Sequence, residues 1–488
     1  MFPLFPTPGP TDASPSRDYA AAVAPPGMVA LKRLIWLYFW LLIFEGALRK
    51  WFLPGLSNPL LLIRDPVVIL IYIAAAMAGV FPRNGLIAFT AILGVISFLV
   101  SEVFGSGNLL VSLYGFRTTF LHLPLIFVIQ SAFDRKDVLR MIKWIVIVAI
   151  PMFFLVLLQF RSSPDAWINN GAGGGVGGQL TVGFGKIRPP GTFSFTAGLV
   201  SFLAAAAAIA VGAQMRKDLI PTRLGIVALV AVAGTVLVSG SRTALGSVTL
   251  IMVGVGFVCA QKPQLAGKGI RVIFALGAAY FILGSFSEFR TGLEVHQTRI
   301  ATGGGLREGI FLRTLSGYLE PFGAAARAEF FGVGLGMGTN GASGFMTGEV
   351  TFRLGEGDWG RTILEMGPIL GFLHIGLRIA IVIFLARQAF ESLQRDNPLP
   401  LLLFAAAGSE LLNGLFGVPS LLGLAVFKGG LCLAATNLDA VTAPGPQEGF
   451  VPHPAALPPV VSGFRGRSAY AEQLHGEVEN PVTQRFGP

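Results

Sequence analysis

The sequence predicts an all-α integral membrane protein with about twelve transmembrane helices and a long outer loop that contains a helix. Only 13% of the 488 residues are charged and 53% are hydrophobic, whereas a soluble domain carries about 25% charged residues. The apolar residues also occur in runs close to the ~20 residues that cross a bilayer as a helix. This pattern excludes a soluble enzyme, a disordered scaffold, a nucleic-acid-binding protein and an outer-membrane barrel with its short alternating strands.

The two ends of the chain differ from the apolar middle. Residues 1–28 are rich in Pro, Ala and Ser, and residues 439–488 repeat Pro and Gly, a composition typical of disordered tails. Cys259 and Cys432 both lie in apolar runs, so no disulfide framework or metal–thiolate site is implied. We therefore predict an N-terminal tail over 1–28, a polytopic membrane domain over 29–438 and a C-terminal tail over 439–488.

The membrane domain contains twelve apolar segments, whose orientation follows from the charged residues between them. The segments cover about 33–48, 64–81, 86–103, 109–131, 138–159, 191–213, 223–239, 242–260, 271–286, 362–386, 399–414 and 418–437. Five basic clusters each follow an even-numbered segment: Arg83; Arg135, Lys136, Arg140 and Lys143; Arg216, Lys217 and Arg223; Lys262, Lys268 and Arg271; Arg387 and Arg395. Cytoplasmic loops are enriched in Lys and Arg, so both tails are predicted to be cytoplasmic.

This orientation places two long loops on the outer face. The first, about 160–190, is glycine-rich and is interpreted as a mobile lid or linker. The second, about 287–361, is too long for a simple connection. Within it, the apolar residues of 306–331 fall on one helical face, which predicts a helix on or near the membrane surface.

The predicted outer face carries far more arginine than lysine. Lys50 and Lys186 are the lysines that map there, and the arginines are Arg49, Arg64, Arg117, Arg161, Arg188, Arg242, Arg290, Arg299, Arg307, Arg313, Arg327, Arg353 and Arg361. Arginine side chains at helix ends that reach lipid headgroups account for some of them, such as Arg161 and Arg361. The planar guanidinium also binds phosphate through two hydrogen bonds. The excess indicates an outward-facing site for an anionic, phosphorylated ligand.

Three stretches in a fixed order resemble a known family. They are RPPGTFSFTAGLVSFLAAA (188–206), LVSGSRTALGSVTL (237–250), and EFFGVGLGMGTN (329–340) followed by GEGDWGRTILEMGPILGF (355–372). Together, with a long outer loop between the second and third, they resemble the O-antigen ligase and O-antigen polymerase family over roughly 185–385. The N-terminal EGALRKWFLPGL (45–56) is not a feature of this resemblance.

The resemblance implies a fold and a chemistry. Family members are similar to GT-C-type glycosyltransferases of the bacterial inner membrane. They transfer a glycan from undecaprenyl diphosphate to an acceptor hydroxyl on the periplasmic face, with inversion and without a metal, a nucleotide sugar or another cofactor. The implied partners are the undecaprenyl-linked glycan, the lipid bilayer, and the flippase and chain-length regulator of a polysaccharide system.

The resemblance also implies roles for particular residues. Arg242, in the Ser-Arg turn, Arg188 and Arg313 are expected to hold the donor diphosphate. The family commonly has a histidine about nine residues before Glu-x-Gly, but here Glu356 stands nine residues before Glu365. Glu356 is therefore the expected general base. Glu356 and Arg242 are the two expected catalytic residues.

Other polar residues have alternative interpretations. Glu356 and Asp358, two residues apart, are alternatively interpreted as part of a solvated acidic loop. Arg117 is either a further diphosphate ligand or part of a structural ion pair. His122 is interpreted as an interhelical hydrogen-bonding residue, and the position of His296 does not match the family's histidine.

Of three functions, the first below is the predicted one and the other two remain as alternatives. The first is polymerisation of undecaprenyl-diphosphate-linked repeat units into exopolysaccharide or O-antigen. The second is transfer of a finished glycan to lipid A core or to protein, as an O-antigen ligase or a protein oligosaccharyltransferase. The third is a polysaccharide transporter or flippase, which would place charges near the bilayer midplane, whereas here the charges gather on the predicted outer side.

Overall fold

The computed structural model describes residues 26–105, 108–302, 313–339 and 357–441. Of the described residues, 78% are helical. Within the described ranges, the only sheet is an antiparallel pair of β1 (Thr181–Gly183) and β2 (Lys186–Ile187). The predicted disordered tails lie almost wholly outside the described residues, as does much of the long loop.

The helices follow the apolar segments of the sequence. They are α1 (Pro26–Ala47), α2 (Ser57–Leu60), α3 (Arg64–Met77), α4 (Gly85–Phe104), α5 (Leu109–Phe116), α6 (Leu125–Ala132), α7 (Arg135–Arg161), α8 (Thr196–Met215), α9 (Thr222–Val238), α10 (Arg242–Gln261), α11 (Ala266–Gly284), α12 (Ser287–Thr302), α13 (Arg313–Ala325), α14 (Asp358–Gln394), α15 (Leu399–Asn413) and α16 (Pro419–Ala434). Two π-helical turns, Leu48–Phe52 and Arg117–Leu121, extend α1 and α5.

The described part of the chain has nine helical stretches that are long and apolar enough to cross a membrane. A tenth candidate is the bent pair that ends in α6, and α9 and α15 are shorter apolar helices. Each of the twelve predicted segments coincides with one of these stretches. The protein is therefore a multi-pass α-helical membrane protein.

Helices α8 and α16 form the centre of the bundle. Within their most apolar windows, 94% of the residues of α8 and 83% of those of α16 are buried, against 17% for the stretch containing α11. The run of alanines in α8 allows neighbouring helices to approach closely, which is how helices pack in lipid. Large apolar side chains such as Phe274 and Phe281 of α11 are exposed, as expected for a surface that contacts lipid.

The glycine-rich segment between α7 and α8 is folded. A short helical turn, Trp167–Asn169, and the β1–β2 pair lie within it. Gln159, at the end of α7, donates to the carbonyl of Ile168, and Asn169 donates back to the carbonyl of Gln159. The expected lid or linker is thus a structured segment tied to α7.

The long loop contains two helices in the described ranges. Sequence analysis did not predict α12, and α13 lies within the predicted 306–331 helix. Leu315, Leu319 and Phe322 are exposed on one face of α13, while Tyr318 packs against the Trp359 ring of α14. This exposed apolar face is compatible with the expectation of a helix at the membrane surface.

In the third sequence motif, the backbone of one segment passes close to a break in a helix. Gly367 has φ of +75°, which interrupts α14, and the backbone of 332–334 enters this break. Val333 N donates to the carbonyl of Leu364, and Gly334 N donates to that of Glu365, both at 3.0 Å. A Cβ on Gly367 would lie 2.2 Å from the carbonyl oxygen of Phe330. Glycine is therefore required at this crossing both for its φ and for space.

Candidate functional site

The Ser-Gly-Ser-Arg turn between α9 and α10 forms the base of the candidate site. Gly240 has φ of +57°, and the Ser241 hydroxyl accepts a hydrogen bond from Ala244 N at 3.4 Å, capping α10. Arg242 is the first residue of that helix and is half-buried. A helix N-terminus carries partial positive charge, which favours anions. This turn therefore brings a guanidinium and the N-terminus of α10 to the same place.

Helix α12 adds a second arginine to the turn. Gly292, His296 and Arg299 lie on one face of α12, four and then three residues apart. A Cβ on Gly292 would be 2.5 Å from the carbonyl oxygen of Leu237, so α12 lies directly against the end of α9. The Arg299 guanidinium donates to the carbonyl of Gly240, and Arg242 donates to the carbonyl of Arg299 at 3.5 Å.

His296 connects the same two helices and is 2% exposed. Its Nε2 lies 3.0 Å from the carbonyl oxygen of Val236, and because a carbonyl can only accept, Nε2 has the proton. Burial, as the largest cause, lowers the pKa of His296. His296 therefore acts in this structure as a structural connection between α9 and α12.

The β1–β2 pair brings Arg188 to the same place. Arg188 N donates to the carbonyl of Leu180 at 2.8 Å, extending the pair by one bond. Val182 of β1 packs on the turn, since a Cβ on Gly240 would lie 3.2 Å from its Cγ1. Pro189 and Pro190 follow Arg188 and are buried. The hairpin thus rests on the α9–α10 turn and holds Arg188 beside it.

Arg188, Arg242 and Arg299, hereafter the arginine cluster, interact electrostatically. Burial and, after it, the charge of Arg242 lower the pKa of Arg188. Burial, followed by Arg188 and Arg242, lowers the pKa of Arg299 to about 10. Among the described residues, none of the three forms an ion pair with a carboxylate, and the buried Nε of Arg188 has no hydrogen-bond partner. Three mutually repelling cations in a half-buried site favour the binding of an anion.

Two cavities lie beside the end of α9 that precedes this turn. The first, of about 180 Å³, has an apolar lining from α8, α9, α10 and α11. The second, of about 230 Å³, lies between the ends of α9 and α11 and helix α12, and Arg290 is part of its lining. Leu237 and Tyr280 line both cavities. Because they share these residues the two cavities adjoin, and Leu237 is two residues before Ser239, where the turn begins.

Arg117 lies in a different network. Its Nε donates to Asp65 at 2.5 Å, and its Nη2 donates to the carbonyl of Leu61 at 3.0 Å. The structure thus shows the ion pair, one of the two alternatives for this arginine. His122 bonds to Asp65 and to the Tyr38 hydroxyl, each at 3.0 Å, which confirms its interpretation as an interhelical hydrogen-bonding residue.

Arg361 and Asp358 do not have the roles expected from the sequence. Asp358 is 1% exposed and binds the guanidinium of Arg361 at 2.9 Å and that of Arg378, while Phe416 N donates to it at 3.1 Å. Arg361 is 4% exposed and also pairs with Glu365 at 2.8 Å. The interpretations of Arg361 as a headgroup-reaching arginine and of Asp358 as a solvated carboxylate are therefore wrong.

Two further predicted site residues lie at or beyond the ends of the described ranges. Glu356 lies outside the described residues, and the side chain of Arg313, the first residue of α13, does too. Thr339 and Gly357 border the gap that contains Glu356. Both border regions are anchored, because Gly338 N donates to Glu365 at 2.8 Å and Gly357 precedes the buried Asp358.

One ionic group inside the bundle was not anticipated. Lys428 of α16 is fully buried, and its ammonium bonds Glu410 at 2.7 Å and the carbonyl of Ala406 at 2.8 Å. Ser201 of α8 donates to the same carboxylate at 2.6 Å. The charges therefore do not gather only at the predicted outer side. Because both partners are satisfied by protein atoms, this group holds α8, α15 and α16 together.

Sequence reasoning missed Arg299 as a member of the site. The feature of the sequence that could have indicated Arg299 is the helical spacing of Gly292, His296 and Arg299. No helix was predicted in that stretch. A comparison with protein-family models gives no match to this sequence, and a comparison with curated proteins gives none either. The geometry of the arginine cluster and the adjoining cavities is the basis for a functional assignment.

Proposed function

We propose that this protein is a membrane glycosyltransferase that takes its glycan from a polyprenyl diphosphate and polymerises lipid-linked repeat units at the face that carries the arginine cluster. The observation that supports this proposal is the cluster itself. Arg188, Arg242 and Arg299 come from three separate segments and converge without a carboxylate among the residues that the structure describes.

The chemistry of the cluster suits a diphosphate. Three guanidiniums offer paired N–H donors in a planar arrangement that matches phosphate oxygens. Arg242 adds the N-terminus of α10, where backbone N–H groups and the helix dipole favour an anion. A diphosphate with two to three negative charges offsets most of the repulsion between the three cations, whereas a single carboxylate offsets less.

The cavities beside the cluster suit an isoprenoid tail. The first cavity is lined by aliphatic side chains and Tyr280 and lies among helices long enough to span a bilayer. The second adjoins it at Leu237 and is lined in part by α12. A ligand with its apolar chain in these cavities and its diphosphate at the arginine cluster would contact both.

The reaction follows from this arrangement as one displacement. The acceptor hydroxyl attacks the anomeric carbon, the carbon–oxygen bond to the diphosphate breaks, and the configuration inverts. The arginine cluster stabilises the negative charge that develops on the departing diphosphate. Glu356, by its place nine residues before Glu365, accepts the hydroxyl proton. We propose the bacterial inner membrane, with the cluster facing the periplasm, as the location of this chemistry.

Substitution of the cluster tests the proposal. Arg242→Lys and Arg299→Lys keep the charge but lose the paired hydrogen bonds, which are worth about 1.5–3 kcal/mol when charge-assisted. Binding of undecaprenyl diphosphate to the protein in nanodiscs should weaken about 10–100-fold. Glu356→Gln should leave binding unchanged and lower polymer formation by about 10²–10⁴-fold, with accumulation of lipid-linked repeat units.

Arg161→Lys is the matched control, because Arg161 is 61% exposed and pairs with Glu288 at 3.3 Å. It should bind undecaprenyl diphosphate like the wild type. If Arg242→Lys and Arg299→Lys also bind normally, the cluster is not a diphosphate site. If polymer is lost while a preformed glycan still reaches lipid A core or protein, the ligase or oligosaccharyltransferase alternative replaces polymerisation.

A further inference from the structure

The segment EGALRKW (45–51), which had no place in the family resemblance, contacts the loop that carries Arg188. It comprises the end of α1 and most of the π-helical turn Leu48–Phe52. Glu45, Arg49 and Lys50 are all buried. Three charged side chains within six residues inside a membrane protein require specific partners, and those partners show what the segment does. We call residues 45–51 the clamp segment.

Lys50 reaches the loop directly. It is 1% exposed, and its ammonium donates to the carbonyl of Gly191 at 2.6 Å. The same ammonium lies 4.3 Å from the centre of the Trp51 ring. No described carboxylate pairs with it. The Lys50 ammonium therefore has no counter-ion among the described residues, and its hydrogen bond goes to a carbonyl of the loop that carries Arg188.

Gly191 is held from a second side as well. Its N–H donates to Gln159 Oε1 at 2.8 Å, and its carbonyl accepts from Gln159 Nε2 at 3.2 Å. Its φ is +61°, and a Cβ there would lie 2.5 Å from the sulfur of Met152. The positive φ strongly disfavours any side chain at this position. Gly191 is thus a fixed point between α7 and the clamp segment.

The other residues of the clamp segment extend the contact. Arg49 donates to the Ser194 hydroxyl at 3.0 Å and to the carbonyl of Ser57 at 2.8 Å. A Cβ on Gly46 would lie 2.4 Å from Ser194 N, so α1 touches the loop backbone itself. Glu45 lies between two arginines, at 3.6 Å from Arg49 and 2.7 Å from Arg64, which orients Arg49 towards Ser194.

The position of Gly191 determines the position of Arg188. Only Pro189 and Pro190 separate the two residues, and each proline ring fixes its own φ. On the other side, Arg188 N is bound to Leu180 in the β-pair, and the Arg188 carbonyl accepts from the Thr196 hydroxyl at 3.1 Å. A shift at Gly191 is therefore passed through a stiff connection to Arg188.

We propose that the clamp segment is a positioning element that holds Arg188 in the arginine cluster, with Lys50 and Arg49 acting through the loop rather than on the ligand. This inference rests on the proposed function, since it assumes that the cluster binds a diphosphate. It gives a role to EGALRKW that the resemblance does not supply.

A double-mutant cycle tests the proposal with undecaprenyl diphosphate as the probe, bound to the full-length protein in nanodiscs. Arg188→Gln should weaken binding about 10–100-fold, the range for loss of a charge-assisted contact. Lys50→Met, which keeps an unbranched side chain of similar length but removes the ammonium donor, should weaken it about 10-fold. The double variant should bind like Arg188→Gln alone, because Lys50 has nothing further to position. Ser194→Ala, a milder change, should act in the same direction and also be non-additive with Arg188→Gln.

Lys268→Met is the matched control. Lys268 also donates to a backbone carbonyl, that of Met215, at 2.7 Å, but on the side of the predicted cytoplasmic loops. It should bind the probe like the wild type. Normal binding by both Lys50→Met and Ser194→Ala would overturn the proposal, and so would additive losses in the double variants. If Arg188→Gln and Arg242→Gln themselves bind normally, the proposed diphosphate site is wrong and the positioning role falls with it.

Discussion

Replacing Asp358 with asparagine should destabilise the protein strongly, although sequence reasoning placed this residue in a solvated loop. Asp358, Arg361, Glu365 and Arg378 form a buried group of two negative and two positive side chains. Asp358→Asn leaves a net positive charge in that group and turns one acceptor oxygen into an N–H donor facing an arginine. Breaking a buried ion pair on one side costs about 3–5 kcal/mol, so the free energy of unfolding should fall by this amount.

The measurement is unfolding of the purified protein in mixed micelles titrated with SDS. Asp218→Asn is the control, because Asp218 pairs with Arg216 at 2.8 Å but is 44% exposed, and exposed pairs contribute about 0–1 kcal/mol. The double variant Asp358→Asn/Arg378→Met removes one charge of each sign and should recover part of the loss. A change of less than about 1 kcal/mol in Asp358→Asn, or no recovery in the double variant, would refute the role assigned to this group.

Two further predictions concern topology and pH. A reporter fused within 300–350 should behave as periplasmic and one within 214–222 as cytoplasmic, because basic residues mark the cytoplasmic side; the reverse result would invert the proposed location of the site. Burial lowers the folded-state pKa of His296 below its usual 6.5. As the pH falls through about 6.5, the unfolded chain therefore takes up a proton at this residue before the folded protein does. The stability that His296 contributes is present above about pH 6.5 and is lost as the pH falls below it. His296→Gln should therefore lose less stability than the wild type between pH 7.5 and pH 5 in the same SDS titration, and equal losses would exclude the neutral buried ring.

The helices were predictable because they depend on local composition. Each apolar segment coincides with a helix or a bent helix pair, since an apolar stretch in lipid must satisfy its own backbone hydrogen bonds. Helix α12 was not predicted, because its local composition does not indicate a helix. Its sequence, SEFRTGLEVHQTRIAT, is polar enough to read as loop, and it is helical because Gly292 and His296 dock it on the end of α9.

The partners of charged residues were not predictable, because they depend on distance in space rather than along the chain. Arg117 meets Asp65 across 52 residues, and Arg378 meets Asp358 across 20. Neither pairing has a local signal in the sequence. Arg188 and Arg242 were predicted to converge from the family resemblance, and the structure places them within electrostatic reach of each other, but it adds Arg299 and places Arg117 elsewhere.

Pairing separates two groups among the arginines that first indicated an anion site. The first group is Arg49, Arg64, Arg117 and Arg361, which are buried and pair with Glu45, Asp65, Asp358 or Glu365, Glu45 being shared by Arg49 and Arg64. Because a charge in a low-dielectric interior is costly without a partner, these pairs support folding. The arginine cluster has no such compensation among the described carboxylates. Part of the arginine excess in the sequence thus serves the fold, and the arginine cluster is the part on which the proposed anion site rests.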